Sequence, residues 1–428
     1  MKLRCHFDAQ LKCLVFNRLP AVPETCVSWA SRMEIRGVIP RTFGMSKCSR
    51  AIDSGAKLRN QAKILQIGNY PPPMCGWAIQ TKLVTDELRR RGHVCDVLKI
   101  NENHTVKDPA YIDVQDGWDY LQKIMSHALC GYRLNVHVNG MSKKGYLLAL
   151  TAAFAGRIAF RPARLTFHGG LSQGYFPRHD SWKLHHAFRL LFLLAGKIAC
   201  DSGEIKQAIE SYGIPPEKVS AIATFSSQYL NFTPMRLADE INEFLAKHRP
   251  LFFSYVSFRP EYRLEVVRDC IRLYRQKYPD GGFIWLGFPA KELPGAQKFL
   301  RGWTKEEQSA LLLLGNLTHD EFLTLMVRCS AYLRTPACDG VAASVLESLA
   351  LRVPVVASEN GRRPAGVITY EDTDAADMCA KLVYVTEHYE EIRAGIRLDT
   401  AEDNVGRMAD WLVGEGVLQR GSEVVHAS

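Results

Sequence analysis

No apolar run in this chain approaches the roughly 20 residues that a transmembrane helix needs. The strongest, Ala187-Phe188-Arg189-Leu190-Leu191-Phe192-Leu193-Leu194-Ala195, is short and contains an arginine. The 12 cysteines are scattered singly, with no C-x2-C pair and no metal-ligand spacing. In a chain this large, buried free thiols in a reducing cytosol are the simplest reading. No polybasic block or aromatic-interleaved basic stretch stands out, and no RNA- or DNA-binding motif occurs, so nucleic acid is not an expected partner. What is present is a globular composition, 47% hydrophobic and 23% charged over 428 residues. That length suggests two or three domains, with chain enough for a core in each of two. A net charge of +9 favours anionic partners such as phosphates, nucleotides or acidic lipid surfaces.

Residues 1–60 show poor apolar periodicity, and Cys5, Cys13, Cys26 and Cys48 fit no ligand pattern. The basic start lacks a long apolar segment and a cleavage site. A mobile N-terminal extension is expected there, and Met33 and Met45 leave a later start open. Organised structure is expected from Lys63-Ile64-Leu65-Gln66-Ile67-Gly68, a buried strand, followed by the rigid turn Asn69-Tyr70-Pro71-Pro72-Pro73-Met74-Cys75-Gly76. A helix to about Arg91 and a strand from Val94 complete a β-α-β start. It is Rossmann-like, yet it lacks G-x-G-x-x-G, which argues against a dinucleotide oxidoreductase. Arg164-Leu165-Thr166-Phe167-His168-Gly169-Gly170 reads as a strand running into a glycine turn. Ligands of open α/β sheets bind at the carboxyl ends of strands, which makes His168 a candidate site residue. Leu184 to Ala195 reads as a core helix, with a membrane-docking face as the alternative, supported by Lys183, Arg189 and Lys197. A second β-α-β unit opens at Leu251-Phe252-Phe253-Ser254-Tyr255-Val256, with a helix over 264–277.

The most informative stretch is Asp339-Gly340-Val341-Ala342-Ala343-Ser344-Val345-Leu346-Glu347, leading into Val353-Pro354-Val355-Val356-Ala357-Ser358. It reads as loop, helix, turn and buried strand. Gly340 lets the backbone approach a ligand closely. Val345, Leu346, Leu349 and Ala350 form an apolar stripe, and Ser344, Glu347 and Ser348 lie on the more polar face. The helix start between the two acids offers free N–H groups and a positive dipole end to an anion. Glu347 can accept two hydrogen bonds at once, which suits a vicinal diol such as a ribose.

This acid–seven residues–Glu pattern with its "VPVVAS" strand resembles the E-x7-E signature of retaining glycosyltransferases of family four, which have the two-domain GT-B fold. The resemblance extends over residues 62–415. Cys75-Gly76 stands for the family's glycine pair, Gly92-His93-Val94 for its "GH-V", residues 166–169 for "T-x-HG", and Gly213-Ile214-Pro215-Pro216-Glu217-Lys218-Val219 for its "G-hP-x-EKV". The chain departs from the family in three places. Asp339 replaces the first Glu, Ala223-Thr224-Phe225 replaces "PNG", and Ser257 and Tyr262 stand where an Arg and a Lys usually grip the diphosphate. Arg259 and Arg263, two and one residues further on, are the replacements expected.

The resemblance implies an α/β fold of two Rossmann-like domains facing across a cleft, over 61–235 and 236–402, with a C-terminal helix crossing back within 403–428. It implies metal-independent transfer of a sugar, with retention, from a nucleotide-sugar donor to a glycan or lipid-linked acceptor. No cofactor and no metal ligands are expected. Asp339 would contact the donor sugar and His168 would serve the catalytic site. Glu347 would hold the ribose, while Gly340, Val341, Ala342, Ser344, Gly76, Arg259 and Arg263 would complete the nucleotide-sugar site. The acids at Glu371-Asp372-Thr373-Asp374 read as a helix start rather than a metal motif. A cytoplasmic protein, at the inner face of a membrane through a peripheral contact, is expected. The alternatives are a degenerate relative that binds nucleotide or glycan without turnover, and a nucleotide-sugar epimerase of the same fold.

Overall fold

A computed structural model describes residues 61–171, 173–287, 292–338, 342–398 and 402–414. The expected extension over residues 1–60 lies outside the described residues. Short runs of β-branched and aromatic residues form two six-stranded sheets. The first contains β1 (Lys63–Gly68), β2 (Val94–Lys99), β3 (Arg133–Val138), β4 (Arg164–Phe167), β5 (Ile198–Cys200) and β6 (Val219–Ala221). The second contains β7 (Leu251–Tyr255), β8 (Gly282–Leu286), β9 (Leu311–Leu313), β10 (Ala331–Arg334), β11 (Val355–Ser358) and β12 (Val367–Tyr370). Every pairing is parallel. Helices therefore cover both faces, and strands such as β8 and β11 are buried along their whole length.

The strand orders are β2-β1-β3-β4-β5-β6 and β12-β11-β10-β7-β8-β9. In each sheet the chain first builds outward on one side, then returns to build on the other. The reversals fall between β1 and β3 and between β7 and β10. Loops leave the carboxyl ends of such neighbours in opposite directions and open a crevice, where ligands of this architecture bind. The fold so positions two crevices, one per lobe.

Several helices follow directly from their local chemistry. Gly76–Arg90 ends at Gly92, whose φ of +85° reverses the chain into β2. Asp374 caps Ala375–Glu387 by accepting from the N–H groups of Ala376 and Asp377, so this acid serves a helix start. Trp182–Leu194 buries Phe188, Leu191 and Phe192, while Leu190 and Leu193 stay exposed. Its nearly all-apolar second half thus yields one core stripe and one uncovered face. The helix Asn404–Val413 packs on Gly76–Arg90, placing Val405, Met408, Trp411 and Leu412 against Ile64, Val84 and Leu88 of the first lobe. Ser226 Oγ receives the N–H of Asn404 at 3.0 Å, and Arg91 pairs with Asp410. Among the described residues, no helix is long and apolar enough to cross a membrane.

Candidate functional site

The helix Ala343–Ala350 begins at the carboxyl side of β10. Its N-cap position is Ala342, which has extended backbone and no side chain able to accept a hydrogen bond. The helices Gly117–Leu129, Lys143–Ile158 and His319–Met326 are instead closed by Asp116, Ser142 and Thr318. Among the described residues nothing caps the N–H groups of Ala343 and Ser344, where the helix dipole places its positive end. Asp339, Gly340 and Val341, which the sequence places in the loop before this helix, lie outside the described residues. Ser344 turns its hydroxyl to Tyr332 Oη, 2.8 Å away on β10. Burial raises the Tyr332 phenol above its ordinary value, and the nearby Arg334, which ends β10, works against that rise. The Arg334 guanidinium stands 5.8 Å from the Tyr262 ring centre, and that of Arg259 stands 5.4 Å from it. Arg259 also reaches Ser257 Oγ at 3.2 Å and Glu261 at 3.3 Å. Two cations thus gather at the β7/β10 crevice beside an uncapped helix start.

Arg263 is not part of that group. It adopts a left-handed conformation, φ +50°, at the start of Leu264–Lys277, and bonds Asp372 at 3.2 Å. The loop after β7 already holds a carboxylate. Glu292 accepts from Ser257 Oγ at 3.0 Å and from the Phe258 N–H at 2.9 Å.

Glu347 lies one turn into the Ala343–Ala350 helix and is 2% exposed. Its Oε1 is 2.8 Å from His319 Nε2, so one carboxylate oxygen has a partner within the protein. Tyr229 presents its ring edge-on to His319 at 6.4 Å. Burial raises the Tyr229 phenol well above its ordinary value, and the nearby Glu347 charge adds to the effect. Tyr229 donates to the carbonyl of Gly76 at 3.1 Å, and Tyr255 donates to that of Met74 at 3.4 Å. A Cβ on Gly76 would lie 3.3 Å from Ala343 Cβ. The starts of two helices, one from each lobe, therefore face each other so closely that a side chain at Gly76 would make Ala343 give by a few tenths of an ångström. Arg362 and Glu204 form a further bridge between the lobes at 3.2 Å. A cavity of about 190 Å3 opens nearby, between Phe225, Ser226, Leu346 and Asn404.

On the first lobe, a buried polar ladder runs across the carboxyl half of the sheet. Thr166 donates to Asn135 Oδ1 at 3.0 Å, Asn135 Nδ2 donates to Gln66 Oε1 at 2.6 Å, and His137 Nε2 lies 3.1 Å from that same oxygen. His137 Nδ1 is 2.9 Å from His168 Nε2, and His168 Nδ1 is 3.6 Å from Asp201. Burial, and then the neighbouring His168, depress His137 well below the usual histidine range, so it is neutral. His137 Nε2 also lies 3.2 Å from Asn135 Nδ2, so either ring nitrogen can carry the single proton, and His168 Nδ1 has no hydrogen-bond partner among the described residues. His168 is itself buried, sandwiched between the rings of Trp77 and His137 at 4.6 and 5.1 Å.

Sequence reasoning missed Arg334, His319 and Tyr229. Arg334 carried a usable signal, being the last residue of the strand that leads to Asp339. His319 sits inside a Thr318–Glu321 capping box and reads from sequence as an ordinary helix start. Among the described residues, no cluster of His, Cys, Asp or Glu is arranged to hold a metal ion.

No family profile and no curated protein matches this sequence. Solved structures do match it in fold. A glycosyltransferase from Rickettsia africae ESF-5 aligns at 15% identity over 85% of this chain and 100% of its own, with a TM-score of 0.60. Anabaena HepE in complex with UDP aligns at 15% identity over 82% and 95%, with a TM-score of 0.57. UDP-GlcNAc 2-epimerase from Methanocaldococcus jannaschii aligns at 12% identity over 83% and 100%, with a TM-score of 0.52. At these identities the likeness establishes the architecture, a two-domain α/β fold of the GT-B type.

Proposed function

We propose that this chain is a retaining glycosyltransferase. In this reading it takes a nucleotide-sugar into the β7/β10 crevice and passes the sugar to a glycan or lipid-linked acceptor presented by the first lobe. The observation that carries the proposal is the uncapped start of Ala343–Ala350, with Arg259 and Arg334 linked to it through Tyr262 and Tyr332. A leaving diphosphate gathers negative charge as the glycosidic bond breaks, and fixed N–H groups and arginines aimed at that charge lower the barrier. Glu347, one turn further along, would hold the ribose with the oxygen that His319 leaves free, and Asp339 would address the sugar. His168 would act from the opposite wall, held by the contact with His137 Nδ1 and by the stacked Trp77 ring. A resident metal is not part of this scheme. The fold neighbour bound to UDP supports a uridine nucleotide as the first donor to try.

One observation favours a second reading, a binder without turnover. Glu292 occupies the Ser257 and Phe258 groups next to the expected phosphate grip. Incubation with UDP-sugars, with and without oligosaccharide or lipid-linked acceptors, separates the readings. Acceptor-dependent release of UDP with retained anomeric configuration is expected. Epimerised donor without acceptor would assign an epimerase, and binding without any product would assign the degenerate relative.

A further inference from the structure

The opposite end of the first sheet holds a basic cavity. Arg133 and Arg164 begin β3 and β4, Lys197 immediately precedes β5, and Arg161 precedes β4. Together with Pro162 and Gly196 they line a cavity of about 300 Å3. Strands of four to six residues rising about 3.3 Å per residue separate this cavity from the cleft at their carboxyl ends. Four cations line it and no acid does. Among the described residues none of the four forms an ion pair, although the surface elsewhere is laced with them.

Two of these arginines are fixed in place. Arg133 Nη1 donates to the carbonyls of Leu412 and Val413, both at 2.7 Å, at the end of the back-crossing helix. Arg164 lies over the Trp411 ring at 4.9 Å. Arg164 is only 7% exposed, and its Nη1 has no hydrogen-bond partner among the described residues. Burial, and then Arg133, pull its pKa down to about 10. A buried cation without a counter-ion is costly, by several kcal/mol in the general case. A bound oxyanion would remove that cost, and a planar guanidinium matches phosphate oxygens in a bidentate fork.

We propose that the cavity lined by Arg133, Arg161, Arg164 and Lys197 is a binding site for a phosphate group. Two sources share this chemistry, a soluble phosphate ester and the headgroup of an anionic phospholipid. The second is raised by Phe160, 94% exposed beside Arg161. The site does not depend on the nucleotide-sugar reading.

The test is calorimetric titration of inorganic phosphate into the full chain at low ionic strength. Three variants are compared: Arg161→Ala/Lys197→Ala, which removes two exposed cations and should melt like the parent; Ala342→Asp, which blocks the cleft anion site; and Glu415→Gln, which removes the acid that follows Gly414 in sequence. The expected result is binding by the parent and by Ala342→Asp, weakened at least tenfold in the double variant. Equal binding in parent and double variant, or none in the parent and none in Glu415→Gln, would overturn the site. Binding that appears only in Glu415→Gln would also overturn it, by assigning the pocket to the chain's own carboxylate. Sedimentation with phosphatidylglycerol vesicles, absent with phosphatidylcholine and lost in the double variant, would identify a lipid headgroup as the source. Phosphate binding without vesicle binding would identify a soluble ester.

Discussion

Glu347 keeps a carboxylate where water scarcely reaches, and His319 is the group that makes this tolerable. A hydrogen bond to a charged group contributes about 1.5–3 kcal/mol, and deleting one partner leaves the other desolvated and alone. His319→Ala should therefore lower unfolding free energy by roughly that amount in urea titrations, and Glu347→Gln should restore part of it in the double variant. Additive losses would show that the two side chains are not coupled. A second residue-scale expectation concerns the histidine ladder. His137 resists protonation in the fold, whereas an unfolded chain takes up the proton near the ordinary value of 6.5. The unfolded state thus binds more protons as pH falls from 6.5 towards the depressed value, and stability is lost across that window. The slope approaches about 1.4 kcal/mol per pH unit for one such histidine. Burial depresses His248 as well and adds to the slope. Urea unfolding at pH 7.5 and 5.5 should show the loss, and His137→Asn should reduce it. The same pH dependence in the variant would remove His137 from the account.

At the scale of elements, the helix Ala343–Ala350 has no side-chain cap among the described residues, unlike Gly117–Leu129, Lys143–Ile158 and His319–Met326 and like Gly76–Arg90, which it faces. Replacing Ala at an N-cap by Asp is worth about 0.5–2 kcal/mol of stability. Ala342→Asp should accordingly raise the melting temperature. It should also place a carboxylate where a diphosphate would dock, weakening nucleoside diphosphate binding by tenfold or more. Gain in stability with loss of binding is the signature of an open helix end kept for a ligand; unchanged binding would deny it that role. These elements were readable because their periodicity and punctuation agree. Leu264–Lys277, Asn404–Val413 and β1 appear where their apolar spacing places them. Less legible was the cluster of Arg259, Arg334 and Tyr262. Its members come from the ends of β10 and from the turn after β7, distant in sequence and adjacent only because the sheet order reverses there. Arg263 illustrates the converse. It is four residues from Arg259, yet its left-handed backbone and its ion pair with Asp372 turn it away.

For the whole molecule, the sequence pattern conveyed two Rossmann-like halves, and the structure shows two parallel sheets joined by a helix that returns to the first. Contacts between the lobes were beyond sequence reasoning. The Tyr229–Gly76 bond and the close approach of Gly76 to Ala343 join positions far apart in the chain, and neither residue type advertises its partner. The central claim is that the cleft between these lobes receives a nucleoside diphosphate at the uncapped helix start, with Arg259 against its phosphates. Calorimetric titration of nucleoside and nucleoside diphosphate into the parent and Arg259→Ala tests it most directly. The account predicts that the parent binds the diphosphate, that Arg259→Ala binds it about tenfold more weakly, and that the two bind bare nucleoside alike. Equal diphosphate affinity in parent and variant, or no binding by either, would contradict it.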